Sequence, residues 1–112
     1  SFANLEAADL VGVRMDNANL TEANLNDVYM SGLGTSLRNT NLQKANLINA
    51  YLRKTDFSGA DLQWANLTGA DLTGANLRQA NLKNAILAGA KIDRAVLCDT
   101  IMPDGFVDDS GC

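Results

Sequence analysis

Large apolar side chains recur along this chain with a period of five residues. The repeated residue is usually Leu, sometimes Met, Phe or Ile, at every fifth position from 5 to 30 and again from 37 to 97. The position two before this centre is Ala in 14 of the 19 units, and the position directly before it is Asn or Asp in 12. So many copies of a short unit predict a solenoid, in which successive turns of the chain stack and share one core.

Neither a helix nor a straight strand makes use of a five-residue period. A helix turns about 100° per residue, so successive centres would point about 140° apart and no apolar face would form. In a straight strand an odd period sends successive centres to opposite sides. The pattern therefore predicts a chain that turns a corner in every unit, with the Ala and the Leu inside and the other three residues facing solvent.

We expect the corner at the residue two after each centre. Six of the nine glycines occupy this position, namely Gly12, Gly32, Gly59, Gly69, Gly74 and Gly89. A type II turn requires a positive φ there, which glycine adopts without steric strain.

The unit, as in Ala18-Asn19-Leu20 and again at residues 70–72, resembles the A(D/N)LXX motif of the pentapeptide-repeat family. This resemblance implies an all-β fold, a right-handed quadrilateral β-helix of about five coils with four units per coil. We assign the β-helix to residues 1–97 and a C-terminal capping segment to residues 98–112. The ending from Thr100 to Gly105, with its terminal Cys, also resembles that of many cyanobacterial members of the family.

An insertion gives a check on the register. Two extra residues lie within residues 31–34, and Tyr29 and Tyr51 are 22 positions apart, which is one coil plus these two. We expect the two rings to stack on one side of the coil, either as a cross-strand pair or as a platform for a ligand. Leu33 is expected at the tip of the bulge, which is either a neutral insertion or a contact loop.

Trp64 lies two after a centre and is predicted to point outward. Two interpretations remain: the Lys44 side chain, one coil below, covers the indole, or the indole is an interface hot spot. Trp64, Tyr29, Tyr51 and Leu33 are the candidate interaction residues. The tyrosines lie on the side opposite Trp64, so we expect no single aromatic patch.

Composition narrows the chemistry further. The 112 residues include no His, which excludes a Ser-His-Asp triad, an imidazole base and a His-ligated metal. Carboxylates remain, but Asp56 and Asp61 are expected on adjacent sides, facing solvent. We therefore predict that the chain is not an enzyme, has no catalytic residue, and binds no metal, cofactor or small-molecule substrate.

Charge and hydropathy exclude two kinds of partner. The net charge of −4 argues against direct nucleic-acid binding, and no apolar stretch reaches the 18 residues of a transmembrane segment. The even surface of short polar side chains predicts a structural or protein-interaction module with an unknown protein partner. The family resemblance supplies one alternative, a DNA mimic that modulates a type II topoisomerase such as gyrase. Such a mimic needs an extended acidic surface, whereas residues 31–60 carry a net charge of +3.

Cys98 and Cys112 enclose the predicted cap. A disulfide across this loop of about 15 residues would contribute about 3 kcal/mol in the loop-entropy model, and two reduced cysteines are the alternative. The pair favours the periplasm or the thylakoid lumen, with the cytoplasm as the alternative. A turn at residues 103–105 is expected to fold Phe106 and Val107 back over the apolar core of the last coil.

The N-terminal residues suggest an incomplete unit. Ser1 and Phe2 are the last two residues of a unit whose first three are missing. We expect either that the chain is a fragment of a longer protein or that its first coil stacks on another chain.

Overall fold

The computed structural model describes residues 2–112, which form a stack of five four-sided coils. Single parallel bridges join equivalent residues of successive coils, and on the first side the ladder runs through Asn4, Asn24, Asn46, Asn66 and Ile86. The step is 20 residues, except where it spans the insertion and becomes 22. This is the right-handed quadrilateral β-helix that the resemblance to the pentapeptide-repeat family implies.

The inward positions form one continuous apolar core. All centres from Leu25 to Leu82 are at most 1% exposed, and the small residues two positions earlier are almost as deeply buried. Burying a Leu side chain contributes about 1.5–3 kcal/mol. Because each side contributes one Ala and one Leu to the interior, four small and four bulky side chains share each cross-section of the core.

Most corners are tight turns closed by a backbone hydrogen bond, and a side-chain bond is added at most units that have Asn or Asp before the centre. The N–H of the next Ala donates to the carbonyl of the centre, as from Ala70 to Leu67 at 3.0 Å. The Asn or Asp before the centre accepts from the N–H two residues later, as Asn66 does from Thr68 at 3.1 Å. The Asn and Asp side chains of the ladder thus accept hydrogen bonds from N–H groups in the turns.

The positive φ predicted at the corner is general and does not depend on glycine. Thirteen other residues adopt it, from Ala7 (φ 57°) to Asp99 (φ 54°). The stacking of the coils therefore imposes the left-handed conformation on side chains that would avoid it in isolation.

The repeat continues five residues beyond the boundary expected at residue 97. Met102 follows Leu97 at the usual interval, Thr100 is fully buried in the Ala position, and Ile101 pairs with Asn81. These residues complete the fifth coil. Thr replaces Ala here because its hydroxyl finds a buried acceptor, the Leu77 carbonyl, at 2.7 Å.

The chain ends in a small hairpin. Strand β1 (Thr100–Ile101) pairs antiparallel with strand β2 (Val107–Asp108). The expectation that Phe106 and Val107 cover the apolar core is wrong, because these side chains are 75% and 55% exposed. A backbone hydrogen bond of 2.8 Å joins Met102 and Phe106, so the hairpin is tight. The chain therefore returns beside the fourth side and does not cross the end of the coil.

Two earlier expectations concern the ends and membrane association. The incomplete first unit includes Ser1, which lies outside the described residues. Within residues 2–112, no helix is long and apolar enough to span a bilayer.

Candidate interaction surfaces

The two tyrosines stack on the second side, as the register predicts. The ring centroids of Tyr29 and Tyr51 are 4.8 Å apart and the ring planes differ by 2°. Each side chain is nearly half exposed, and the same ladder places Asp9 before the pair and Asp71 after it. The stack presents ring edges and hydroxyls to solvent between two carboxylates.

Asp71, at one end of this stack, is held in its ionised form. Partial desolvation opposes ionisation, but the Thr73 hydroxyl and N–H both donate to the carboxylate, at 2.5 Å and 3.0 Å. With the positive charges of Arg53 and Lys91, these bonds lower the pKa of Asp71 below its usual value. The second side therefore keeps a fixed negative charge beside the aromatic pair.

Trp64 projects from the corner between the fourth and first sides. The indole is 60% exposed, and the residue has a φ of 63°. In the part of the chain that the structure describes, the Lys44 ammonium makes no cation–π contact with the indole.

The first side, next to Trp64, is free of charge over three coils. The segments 46–49, 66–69 and 86–89 contain only uncharged residues, in a chain that is 20% charged. Ile86 is about half exposed on this face. Trp64 thus borders a flat, neutral surface.

The insertion forms the corner between the second and third sides. Leu33 is 87% exposed, and the glycines on either side of it adopt a positive φ. The third side next to it carries a polar network in which Asp16 accepts from the Ser36 hydroxyl and from the Arg38 N–H. The Ser36 bond is the main cause of the lowered pKa of Asp16. Arg38 also lies 3.8 Å from Asp56, an exposed ion pair that contributes little to stability.

Asp56 and Asp61, the carboxylates considered from the sequence, accept hydrogen bonds from different partners. Asp56 accepts from the Ser58 N–H at 2.9 Å, and Asp61 accepts from the side-chain amides of Gln63, two residues later, and Gln43, one coil below. Each of these carboxylates thus accepts hydrogen bonds from backbone or side-chain groups of its own turn or of the neighbouring coil.

Cys98 and Cys112 form a disulfide, with Cα atoms 4.8 Å apart. Asp109 lies close to both sulfurs, so the three residues have the spacing of a metal site. However, both sulfurs are used in the bond, and the Asp109 carboxylate accepts from the Asp99 N–H at 2.7 Å. The cluster fastens the tail to the last coil.

The fold does not bring the candidate interaction residues together. The tyrosines lie on the second side, Leu33 at the next corner, and Trp64 at the corner diagonally across the coil. Sequence analysis missed the neutral first side and the exposed Ile86. The signal was present, because Ile86 replaces Asn at a solvent-facing position of the ladder.

Comparison with known proteins agrees with the repeat and the coil. The profile described as pentapeptide repeats (8 copies) matches residues 1–32, 34–69 and 65–102. No curated protein sequence matches the chain.

Solved structures of two cyanobacterial proteins are similar to this chain. HetL of Nostoc sp., a pentapeptide repeat protein involved in heterocyst differentiation regulation, is 34% identical over 95% of the chain, with a TM-score of 0.78. Rfr23 of Cyanothece is 33% identical over 85% of the chain, with a TM-score of 0.80. The chain spans 54% of HetL and 64% of Rfr23. The repeat, the four-sided coil and these matches show that the chain belongs to the pentapeptide-repeat family.

Proposed function

We propose that this chain is a non-catalytic protein-interaction module whose main contact surface is centred on Trp64. The observation that carries the proposal is the indole itself, exposed at the edge of a neutral first side. Trp is strongly enriched among residues that dominate binding energy, and the uncharged first side beside the indole is inexpensive to desolvate, with Lys44 the charged neighbour one coil below.

The tyrosine pair and Leu33 are secondary contact sites in this proposal. Tyr29 and Tyr51 form a rigid aromatic edge between Asp9 and Asp71, which suits a partner with basic groups on either side of an apolar strip. A partner with a flat contact face engages either Trp64 or the tyrosines, because they lie on opposite sides of the coil.

Site-specific photocrosslinking in the source cells tests the Trp64 surface. A photoreactive phenylalanine analogue replaces Trp64 in one strain and Lys54, at the opposite corner, in a control strain. We expect an adduct of defined mass at position 64 that is missing at position 54. The partner identified by crosslinking is then purified, and its affinity for the chain is measured. Trp64→Ala should weaken this affinity about 30-fold, as expected for a hot-spot residue. No adduct at position 64, or the same adducts at both positions, would contradict the proposal.

We further propose that the module works in an oxidising compartment, the periplasm or the thylakoid lumen. The disulfide between Cys98 and Cys112 supports this, since such bonds persist mainly outside reducing cytosol. Alkylation of free thiols in intact cells tests it. Unmodified cysteines that react only after reduction are expected, and two alkylated cysteines would place the protein in a reducing compartment.

The gyrase-directed alternative has a separate test. Arg14, Arg38 and Arg78 interrupt the third side, so the acidic surface of a DNA mimic is not continuous there. We expect no effect of the saturating protein on supercoiling by gyrase, and inhibition or protection would favour the mimic over the interaction module.

A further inference from the structure

The last coil leaves part of its backbone ladder unpaired. In the coil below, the N–H of each centre and the N–H two residues later donate upward, as Leu67 does to Ile86 at 2.8 Å and Gly69 to Ala88 at 2.9 Å. The equivalent donors of the last coil, on its first and second sides, belong to Leu87, Gly89, Ile92 and Arg94. None of these four N–H groups has a partner within residues 2–112.

The tail covers only the other two sides. The Asp109 carboxylate accepts from the Asp99 N–H at 2.7 Å, and the Phe106 carbonyl accepts from the Met102 N–H at 2.8 Å. The Gly111 N–H donates to the Leu97 carbonyl, also at 2.8 Å. Apart from the Leu97 N–H, which has no partner among residues 2–112, the hairpin and the rest of the tail engage the ladder on the third and fourth sides and leave the first and second open.

Core side chains are exposed along the same open half. Leu67 and Leu72 are fully buried, whereas Leu87, directly above Leu67, is partly exposed and Ile92, above Leu72, is 36% exposed. Unpaired strand donors beside an exposed apolar row are the two features that an added strand satisfies together.

We propose that the open half of this edge binds an extended segment of a partner protein, which adds a half coil to the stack. The carbonyls of Ala85 and Ala90 alternate with the four free N–H groups, because their equivalents Ala65 and Ala70 accept from the next coil at 2.9 Å. This order of donors and acceptors matches a strand that runs parallel to the last coil.

The chemistry of the segment follows from the same residues. Its inward positions are a small residue followed two positions later by a large apolar one, so that they rest on Leu87 and Ile92. On the last coil the second side carries Lys91 and Arg94 against Asp93, with Asp71 one coil below Lys91, so acidic outward residues placed above the last coil are favoured. This site uses backbone groups at the end of the coil, and it stands or falls independently of the Trp64 surface.

The test is a titration of the isotopically labelled full chain with a peptide, followed by the shifts of backbone amides. The probe is a blocked ten-residue peptide that repeats the sequence of residues 70–74 twice. We expect saturable shifts at the amides of Leu87, Gly89, Ile92 and Arg94, with a Kd of about 1 mM or tighter. Buried amides such as that of Leu52 serve as internal references. No shift at these four amides in that range overturns the proposal.

Two controls separate a strand site from unspecific contact. A peptide with the same residues in reverse order places its large inward residue before the small one, so it does not fit over Leu87 and Ile92 and should bind at least tenfold more weakly. Ile92→Lys, which places a charge on the apolar row, should abolish the shifts, whereas Ile86→Lys, which points outward beside the edge, should not. Equal binding of both peptides overturns the proposal, and this control does not depend on how the variants fold. Shifts that appear on raising the protein concentration without peptide would identify a second copy as the occupant and also overturn it.

Discussion

The hydroxyl of Thr55 donates a hydrogen bond of 2.6 Å to the carbonyl of Met30, one coil away. In other units this carbonyl would accept from the N–H three residues later, but the insertion at residues 31–34 displaces that donor. Thr35 makes the complementary repair, because its Oγ1 accepts from the Gly12 N–H at 2.7 Å. Two buried hydroxyls, in positions that Ala usually occupies, thus satisfy the backbone groups that the insertion leaves without partners.

Thr55→Val should destabilise the protein by about 1–3 kcal/mol, because the Met30 carbonyl loses its donor while buried. The free energy of unfolding in urea measures this. Thr40→Val is the matched control: the Thr40 hydroxyl donates to the Leu37 carbonyl, which also accepts from the Thr40 N–H. Equal losses in the two variants would show that the hydroxyl at position 55 has no special role.

Gly59 and Gln79 occupy the same corner in adjacent coils, with φ values of 71° and 59°. Gly59→Ala should destabilise by more than 1 kcal/mol, because the new Cβ would collide with the Asn39 side chain as well as strain the backbone. Gln79→Gly should stabilise by about 0.5–1 kcal/mol, as relief of the left-handed strain exceeds the added chain entropy. Thermal unfolding of both variants checks the signs, and destabilisation by Gln79→Gly would contradict the strain argument.

The stacked tyrosines should be coupled in energy. In a double-mutant cycle with Tyr29→Ser and Tyr51→Ser, we expect a coupling energy of about 0.5–1.5 kcal/mol. Serine is compatible with this ladder position, since Ser36 occupies it on the third side. Additive losses would mean that the rings stack without stabilising the coil.

Reduction of the Cys98–Cys112 bond should release the tail and leave the coils intact. The bond closes a loop that contains little besides the tail, and each coil of a solenoid depends on its neighbours alone. Hydrogen exchange should lose protection at the Met102 and Gly111 amides but not at Leu52 or Leu62. Loss of protection throughout the chain would show that the tail supports the whole stack.

Acid should weaken the fold through carboxylates such as Asp71. Its pKa in the folded protein is below the unfolded value of 3.8, so ionisation favours folding. The stabilisation is complete above that value and is lost as the pH falls through the folded pKa. Denaturant midpoints should therefore fall below about pH 4, and less steeply in Asp71→Asn, which keeps an acceptor for the Thr73 N–H as Asn66 does for Thr68. An unchanged pH profile in the variant would exclude Asp71 as a contributor.

The coil could be predicted from the sequence because the same five-residue unit specifies the inward, outward and corner positions along the chain. The position of Tyr29 relative to Tyr51 needed only the repeat length and the two inserted residues, and the structure confirms their contact. The outward direction of Trp64 followed from its phase in the unit. Both features depend only on the position of a residue within its five-residue unit, which can be counted along the sequence.

Features that depend on contacts between coils were not predicted. The repair by Thr55 depends on which carbonyl the insertion leaves without a donor, and that carbonyl is 25 residues away in sequence. The course of the tail was also missed, because the turn after Met102 is compatible with either direction of return. Thr100 concealed the final unit, although Thr also fills the Ala position at 35, 40 and 55.

Because the coils stack in a regular parallel ladder, the length of the protein along the stack is a multiple of the height of one coil. Each coil adds about 4.8 Å to the stack, and an additional copy of 20 residues would repeat the same cross-section without disturbing the packing above or below it. The separation between the tyrosine pair and the C-terminal hairpin is therefore set in discrete steps. Duplication or loss of a single coil would change this separation by one step and leave the tyrosine pair and the hairpin unchanged.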